Sequence, residues 1–223
     1  MDKDLLLDAM KKFIAGVVLI GLMLFWPAGT LGYMQGWLFC GVLFIPVLIM
    51  GVVLFLKAPE LLRKRLQEKE EQAEQKSVVA LSGLMFLVGF ILAGLDYRFG
   101  WAQVPMWLVY AAAAAFLLGY GMFAEVMREN AYLSRTVEVQ EGQVVVDTGL
   151  YGIVRHPMYT ATVVMFLSMP LVLGSWISFV VFLVYPLLIV KRIANEEQVL
   201  EEGLAGYAEY KQKVKYRLIP FLW

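Results

Sequence analysis

Two short stretches of this chain gather the side chains that chemistry needs. The first is Gly149-Leu-Tyr151-Gly-Ile-Val-Arg155-His156-Pro157-Met158-Tyr159, which holds the single histidine of the 223 residues. Pro157 restricts His156 to an extended backbone and suits the first turn of a following helix. Polar side chains and free amides therefore collect at a helix start, where an anionic group is favoured. The second stretch is Lys191-Arg192-Ile-Ala-Asn-Glu196-Glu197. Arg192 and Glu196 stand four apart and share one helical face. A guanidinium there can hold a carboxylate or phosphate through two parallel hydrogen bonds. Each stretch also has a plainer reading. Arg, His and Tyr anchor helices at headgroup level, and an i,i+4 ion pair contributes only about 0.2–0.5 kcal/mol to its helix. Residue types alone leave both readings open. Position favours chemistry, because the two stretches stand at the two ends of one apolar hairpin.

Other chemistries are excluded or unsupported. One cysteine, Cys40, cannot form an internal disulfide, and with one histidine it cannot build a zinc site of Cys and His ligands. No metal is expected. Gly119-Tyr-Gly121-Met-Phe-Ala124 fits a loose GxGxxA pattern but ends an apolar helix. A dinucleotide fingerprint joins a strand to a helix, so these small residues are read as packing surface. The formal net charge is zero, and no nucleic-acid partner is expected.

The elements that must position these residues are apolar helices. The chain is 61% hydrophobic and 17% charged, with a mean hydropathy of +0.69, whereas soluble domains average about half apolar and about a quarter charged. Runs at 13–33, 36–56, 78–97 and 101–123 each have the length, about 20 residues, that crosses roughly 30 Å of hydrocarbon. The first two meet in a tight turn around Trp26-Pro27 and Gly29. A fifth region, 160–190, is too long for one ordinary span and is interrupted by Pro170 and Gly174-Ser175, which predicts a compact helical hairpin. Six crossings with a cytoplasmic N-terminus place every Lys and Arg except Arg98 on the cytoplasmic side. A single span at 160–190 would instead leave Lys191, Arg192, Lys211, Lys213, Lys215 and Arg217 outside, against the positive-inside rule. The mixed charges before Phe13 do not resemble a cleavable signal, so the first run is expected to be a retained anchor. Residues 125–151 are polar, and 136–147 alternates like a strand pair around Glu141-Gly142. Residues 191–223 begin as an amphipathic helix with Ile193, Leu200, Leu204 and Tyr207 at helical spacing. The expected architecture is an all-α membrane protein of about six transmembrane helices. Four of them, with a cytoplasmic loop at 57–76, make up 1–123; the catalytic region, 124–223, adds the hairpin 160–190 and a small cytoplasmic cap.

From about Thr136 to Trp223 the chain resembles the integral-membrane methyltransferases of the isoprenylcysteine carboxyl methyltransferase family, relatives of the phospholipid methyltransferases. The carrying features are Gly149-x-Tyr151, Arg155-His-Pro-x-Tyr159, Arg192-x3-Glu196-Glu197, Tyr207-x2-Tyr210-Lys211 and Ile219-Pro-Phe221; residues 1–123 match mainly as membrane helices. The resemblance implies S-adenosylmethionine as cofactor, in a pocket between the strand-like segment, the Arg-His-Pro loop and the helix after the hairpin. Carried over by position, Gln143, Val144, Val145, Val146, Tyr151, His156, Pro157, Met158, Tyr159, Glu196 and Glu197 would bind it. Glu196 would hold the methionine ammonium, and Arg192 would face the acceptor. Many members have Pro and Arg where this chain has Leu150 and Gly152, and Gln143 stands where some have His; these departures bear on the acceptor more than on the cofactor.

The implied reaction is carboxyl O-methylation of an isoprenylcysteine-like substrate, a lipophilic or lipid-attached acceptor that reaches the site sideways from the bilayer. Methyl transfer from a sulfonium is an in-line displacement whose reactive group the cofactor supplies. A carboxylate acceptor needs no base, so a Ser-His-Asp or Cys-His arrangement is not required. Alignment of the reactants alone lowers such barriers by roughly 7–11 kcal/mol in ideal cases. An alternative within the class is N-methylation of a phosphatidylethanolamine-type amine, which would need Glu197 or His156 as base. An alternative of another class is a non-catalytic scaffold or a transporter. A transporter usually places ionisable residues inside its spans, and 13–56 contains no Asp, Glu, Lys, Arg or His.

Overall fold

The computed structural model describes residues 3–66, 73–133 and 139–223, and over them the chain is helical. The helices are α1 (Lys3–Ala28), α2 (Met34–Lys57), α3 (Pro59–Leu66), α4 (Ala73–Phe99), α5 (Met106–Glu129), α6 (Pro157–Val172), α7 (Trp176–Phe182), α8 (Val184–Gly203) and α9 (Tyr207–Lys213), with one 3-10 turn at Gly149–Gly152. In hydrocarbon every backbone polar group must be satisfied within the protein, which is why apolar runs of this kind become helices. Four are long and apolar enough to cross a membrane: Met34–Lys57, Lys76–Phe99, Met106–Glu129 and the joined α7–α8 rod, Trp176–Gly203. Ile49, Leu118 and Leu187 on these rods point outward. A soluble domain rarely exposes contiguous apolar surface on this scale. α6 is apolar but only 16 residues long.

The helical hairpin expected at 160–190 forms, and Gly174-Ser175 makes its bend. Gly174 takes φ +79°, a left-handed conformation that glycine adopts without penalty. Ser175 then caps α7, its hydroxyl accepting the Ser178 N–H at 3.1 Å. Pro170 stays inside α6 and does not break it.

The strand pair expected at 136–147 is corrected where the structure describes it. Residues 134–138 lie outside the described residues. From Val139 to Asp147 the chain is irregular, and among the described residues no strand forms, only an isolated bridge between Gln103 and Ser175. The turn at Glu141-Gly142 is present, with Gly142 at φ +70° and the Gln143 N–H on the Gln140 carbonyl at 3.1 Å. The alternation has another cause. Val139 and Val145 pack against Leu204, Tyr207 and Tyr210, while Val146 packs into the cluster around Tyr151 and Val126.

The bundle sorts its loops by end. At one end the Lys12 ammonium donates to the Leu66 carbonyl at 2.7 Å, and Lys64 donates to Gln140 at 2.7 Å. These bonds tie α1, α3 and the 139–147 segment beside the starts of α6 and α9. At the other end Asp96, 1% exposed, accepts the Ala102 N–H at 2.8 Å and the Ser175 hydroxyl. The buried Tyr33 hydroxyl donates there to the Leu173 carbonyl. A polar knot thus joins the turns of three helix pairs, and each of these groups has a partner, as burial demands. The main core runs between the ends, from Leu24, Phe39 and Phe90 through Phe116 to Met165, Phe182 and Ile193.

α1 lies against α4 at Gly94, where a Cβ would stand 2.5 Å from the Leu24 carbonyl oxygen and 3.1 Å from the Ala28 nitrogen. Both neighbours are backbone and cannot swing aside. Gly94→Ala is therefore expected to force the helices apart and to destabilise the protein by roughly 1–3 kcal/mol. Thermal unfolding in detergent checks this; an unchanged melting temperature would show that α1 shifts freely.

Candidate functional site

The end of the bundle that carries α9 holds an open cleft lined by both polar and apolar side chains, the mixture that small-molecule and cofactor sites use. Four of its elements carry the residues expected from the sequence. The irregular segment contributes Gln143, Val144, Val145 and Val146, and the 3-10 turn contributes Tyr151. His156, Pro157, Met158 and Tyr159 come from the start of α6, and Arg192 and Glu196 from α8. Residues far apart in sequence are thus brought to one place.

The α6 start is held rigidly by the C-terminal segment. The Arg155 and His156 N–H groups donate to the carbonyls of Tyr216 and Arg217, at 2.9 and 3.0 Å. The Thr160 hydroxyl donates to the Leu218 carbonyl at 2.8 Å. Pro157 is the first residue of α6, so its missing N–H costs no helical bond.

Tyr159 links Arg192 and Glu196 of α8. The Arg192 Nε donates to its hydroxyl at 2.8 Å, and that hydroxyl in turn donates to Glu196 Oε2. The Arg192 guanidinium also lies over the Tyr159 ring, 5.9 Å from its centre. Glu196 keeps 24% of its side chain exposed in the cleft, so it can still meet a cationic group. His156 sits between the two glutamates, Nδ1 3.9 Å from Glu196 Oε1 and Nε2 3.3 Å from Glu197 Oε1.

Glu197 stands apart from the other predicted binders. It is 3% exposed and lies behind the lining. Arg155 Nε donates to it at 2.7 Å, Arg217 at 3.0 Å, and His156 approaches the same carboxylate. Arg155 further donates to the carbonyls of Val214 and Lys215, both at 2.8 Å. The cluster fastens the Arg-His-Pro loop, α8 and the C-terminal segment to one another directly beneath the cleft.

Several lining residues were not among those predicted: Asn130, Tyr132 and Leu133 after α5, and Arg155, Leu200, Leu204, Tyr207 and Tyr210. The Tyr207-x2-Tyr210 motif and the apolar stripe of α8 signalled some of these; nothing in the sequence marked Asn130. Its amide donates to the Tyr151 hydroxyl at 2.8 Å. Burial pushes the Tyr151 phenol up to about 12, although the Asn130 bond works the other way, so a neutral hydroxyl faces the cleft at ordinary pH. Among the described residues no group of three or more His, Cys, Asp or Glu side chains is placed to hold a metal ion.

Comparison with known proteins bears on these residues. The chain is 32% identical to Delta(14)-sterol reductase TM7SF2 of Mus musculus over 91 residues, 40% of this chain and 22% of that protein. It is 24% identical to Delta(14)-sterol reductase of Methylotuvimicrobium alcaliphilum over 139 residues, 54% of this chain and 32% of that protein. The chain thus spans between about a fifth and a third of the length of these curated relatives. A family model matches residues 110–202, from within α5 to the end of α8. Over that stretch, which contains the Arg-His-Pro loop, the hairpin and the Arg192–Glu196 helix, the chain matches the isoprenylcysteine carboxyl methyltransferase (ICMT) family.

Proposed function

We propose that this chain is an integral-membrane, S-adenosylmethionine-dependent methyltransferase acting on a lipophilic acceptor. The observation that carries the reading is the Arg192–Tyr159–Glu196 arrangement. It presents a carboxylate and a guanidinium one helical turn apart in a single cleft, at the end of an apolar bundle. Glu196 suits an ammonium, the cationic end of the cofactor's amino acid. Arg192 suits an anionic acceptor. The favoured acceptor is the carboxylate of an isoprenylcysteine-like substrate; a phosphatidylethanolamine-type amine is the second choice. The six-crossing arrangement, with the N-terminus and the cleft on the cytoplasmic side, belongs to this proposal. The sorting of loops to two ends supports it.

When bound, the cofactor supplies an electrophilic methyl group on sulfur. The protein's share is placement. Glu196 and Tyr159 fix the donor's amino-acid end, Arg192 steers the acceptor's charge into line, and the apolar bundle lets a lipid tail remain in the membrane. No proton need move for a carboxylate acceptor. That fits a cleft in which Tyr159 and Glu196 are engaged in orienting bonds.

The names of the two relatives support a second reading, reduction of a lipophilic double bond by a hydride-donating dinucleotide. Such a ligand carries phosphates, and the cleft's charges suit it less well. Arg155 is turned to Glu197 and two carbonyls, and Glu196 is an anion within the lining.

Calorimetry on detergent-purified protein separates the two. S-adenosylmethionine is expected to bind the wild type, and Glu196→Ala to weaken it about ten-fold or more, the loss of one hydrogen bond between charged groups. Folded wild type that ignores S-adenosylmethionine but binds reduced nicotinamide dinucleotide would overturn the methyltransferase reading in favour of the second.

A further inference from the structure

Among the described residues two buried side-chain oxygens have no hydrogen-bond partner, Glu129 Oε2 and the Tyr207 hydroxyl. Glu129 packs on the Cα of Gly149 and is not part of the cleft lining. Tyr207 lines the cleft and is 4% exposed. It is the first residue of α9, set by Gly206 in a left-handed turn at φ +83°.

The other tyrosines of the lining are all engaged. Tyr132 donates to the Gly142 carbonyl, Tyr210 to the Tyr151 carbonyl and Tyr159 to Glu196, while Tyr151 receives the Asn130 amide. A buried hydroxyl left without a partner is costly, and native structures keep few of them. At Tyr207 burial first, and then the charges of Glu197 and Glu196, push the phenol upward against the opposing pull of Arg155. The hydroxyl therefore keeps its proton at neutral pH. Of these two carboxylates Glu196 belongs to the cleft lining, as Tyr207 does, and Glu197 lies behind it.

We propose that Tyr207 is a binding residue for the α-amino-acid end of S-adenosylmethionine, its phenol oxygen accepting an N–H of the ammonium that Glu196 holds. The proposal rests on the methyltransferase reading and extends it. An ammonium offers three N–H donors. Glu196 Oε2 already accepts from Tyr159, so Glu196 alone does not exhaust them. The phenol proton is then free to donate to the carboxylate of the same amino acid.

The test compares wild type with Tyr207→Phe as the full chain in detergent, titrated with S-adenosylmethionine, S-adenosylhomocysteine and 5′-methylthioadenosine. The last shares the nucleoside but lacks the amino-acid end. The expected result is about a ten-fold weakening for the first two and an unchanged Kd for the third. The ligand-free melting temperature should be equal or higher, because an unpartnered hydroxyl has been removed. A structural role for Tyr207 would instead lower that temperature and weaken all three compounds together, which overturns the proposal. An unchanged Kd for S-adenosylmethionine in the variant overturns it too and leaves the methyltransferase reading standing. Failure of folded wild type to bind S-adenosylmethionine sinks both, so the two failures are distinguishable.

Discussion

Glu197→Ala is expected to be the most destabilising single substitution at the cleft, costing roughly 3–5 kcal/mol, the range for removing one partner of a buried ion pair. The loss is uneven among its neighbours. The Arg217 side chain is 36% exposed and can turn to water, whereas Arg155 is 6% exposed and cannot. Arg155 keeps its bonds to the Val214 and Lys215 carbonyls but loses its counter-charge, so most of the cost falls there. The Arg-His-Pro loop is fastened through this residue, and the cleft should open as it loosens. Unfolding in detergent followed by tryptophan fluorescence, with S-adenosylmethionine binding beside it, measures both consequences. A loss below about 1 kcal/mol, the level of a solvated surface pair, would show that the cluster does not hold the cleft together.

Arg192→Ala should do the reverse, leaving the fold and most of the cofactor affinity while turnover collapses. On the proposed reading Arg192 orients the acceptor. Loss of one preorganised electrostatic donor costs about 10²–10³ in kcat, and loosened alignment adds to it. The expected pattern is a kcat reduced at least a hundred-fold with the Kd for S-adenosylmethionine within a few-fold of wild type. Measured with a prenylcysteine acceptor, normal turnover in the variant would remove Arg192 from the reaction whatever the family.

These two outcomes also show what the sequence could and could not disclose. Glu196 and Glu197 are adjacent, so they lie about 100° apart around α8. One faces the cleft and the other faces the interior. The spacing that named Ile193, Leu200 and Leu204 as an apolar stripe already contained the answer, because position 197 falls in the same stripe. Glu197 was masked by its charge, since carboxylates are almost never fully buried unless paired. Its partners, Arg155 and Arg217, come from other segments, and no local pattern announces them. The hairpin at 160–190 was legible because its bend is glycine chemistry, local to Gly174-Ser175. The segment 136–147 misled for the complementary reason. Period-two burial specifies two faces, not a partner strand, and here the faces meet α8–α9 on one side and α5 on the other.

The shared hydroxyl of Tyr159 makes the two halves of the site one thermodynamic unit. It has a single proton, given to Glu196, and its oxygen receives the Arg192 Nε. The bonds therefore run in one direction and polarise each other. A cation arriving at Glu196 draws on the same carboxylate that Tyr159 serves, and so alters the hold on Arg192. Substitutions at positions 192 and 196 then belong to a coupled pair whose effects do not add. On the proposed reading, linkage makes occupancy of the donor side change affinity on the acceptor side by the same factor as the reverse. A double-mutant cycle over positions 192 and 196, read as affinity for S-adenosylmethionine, measures the coupling between the two residues.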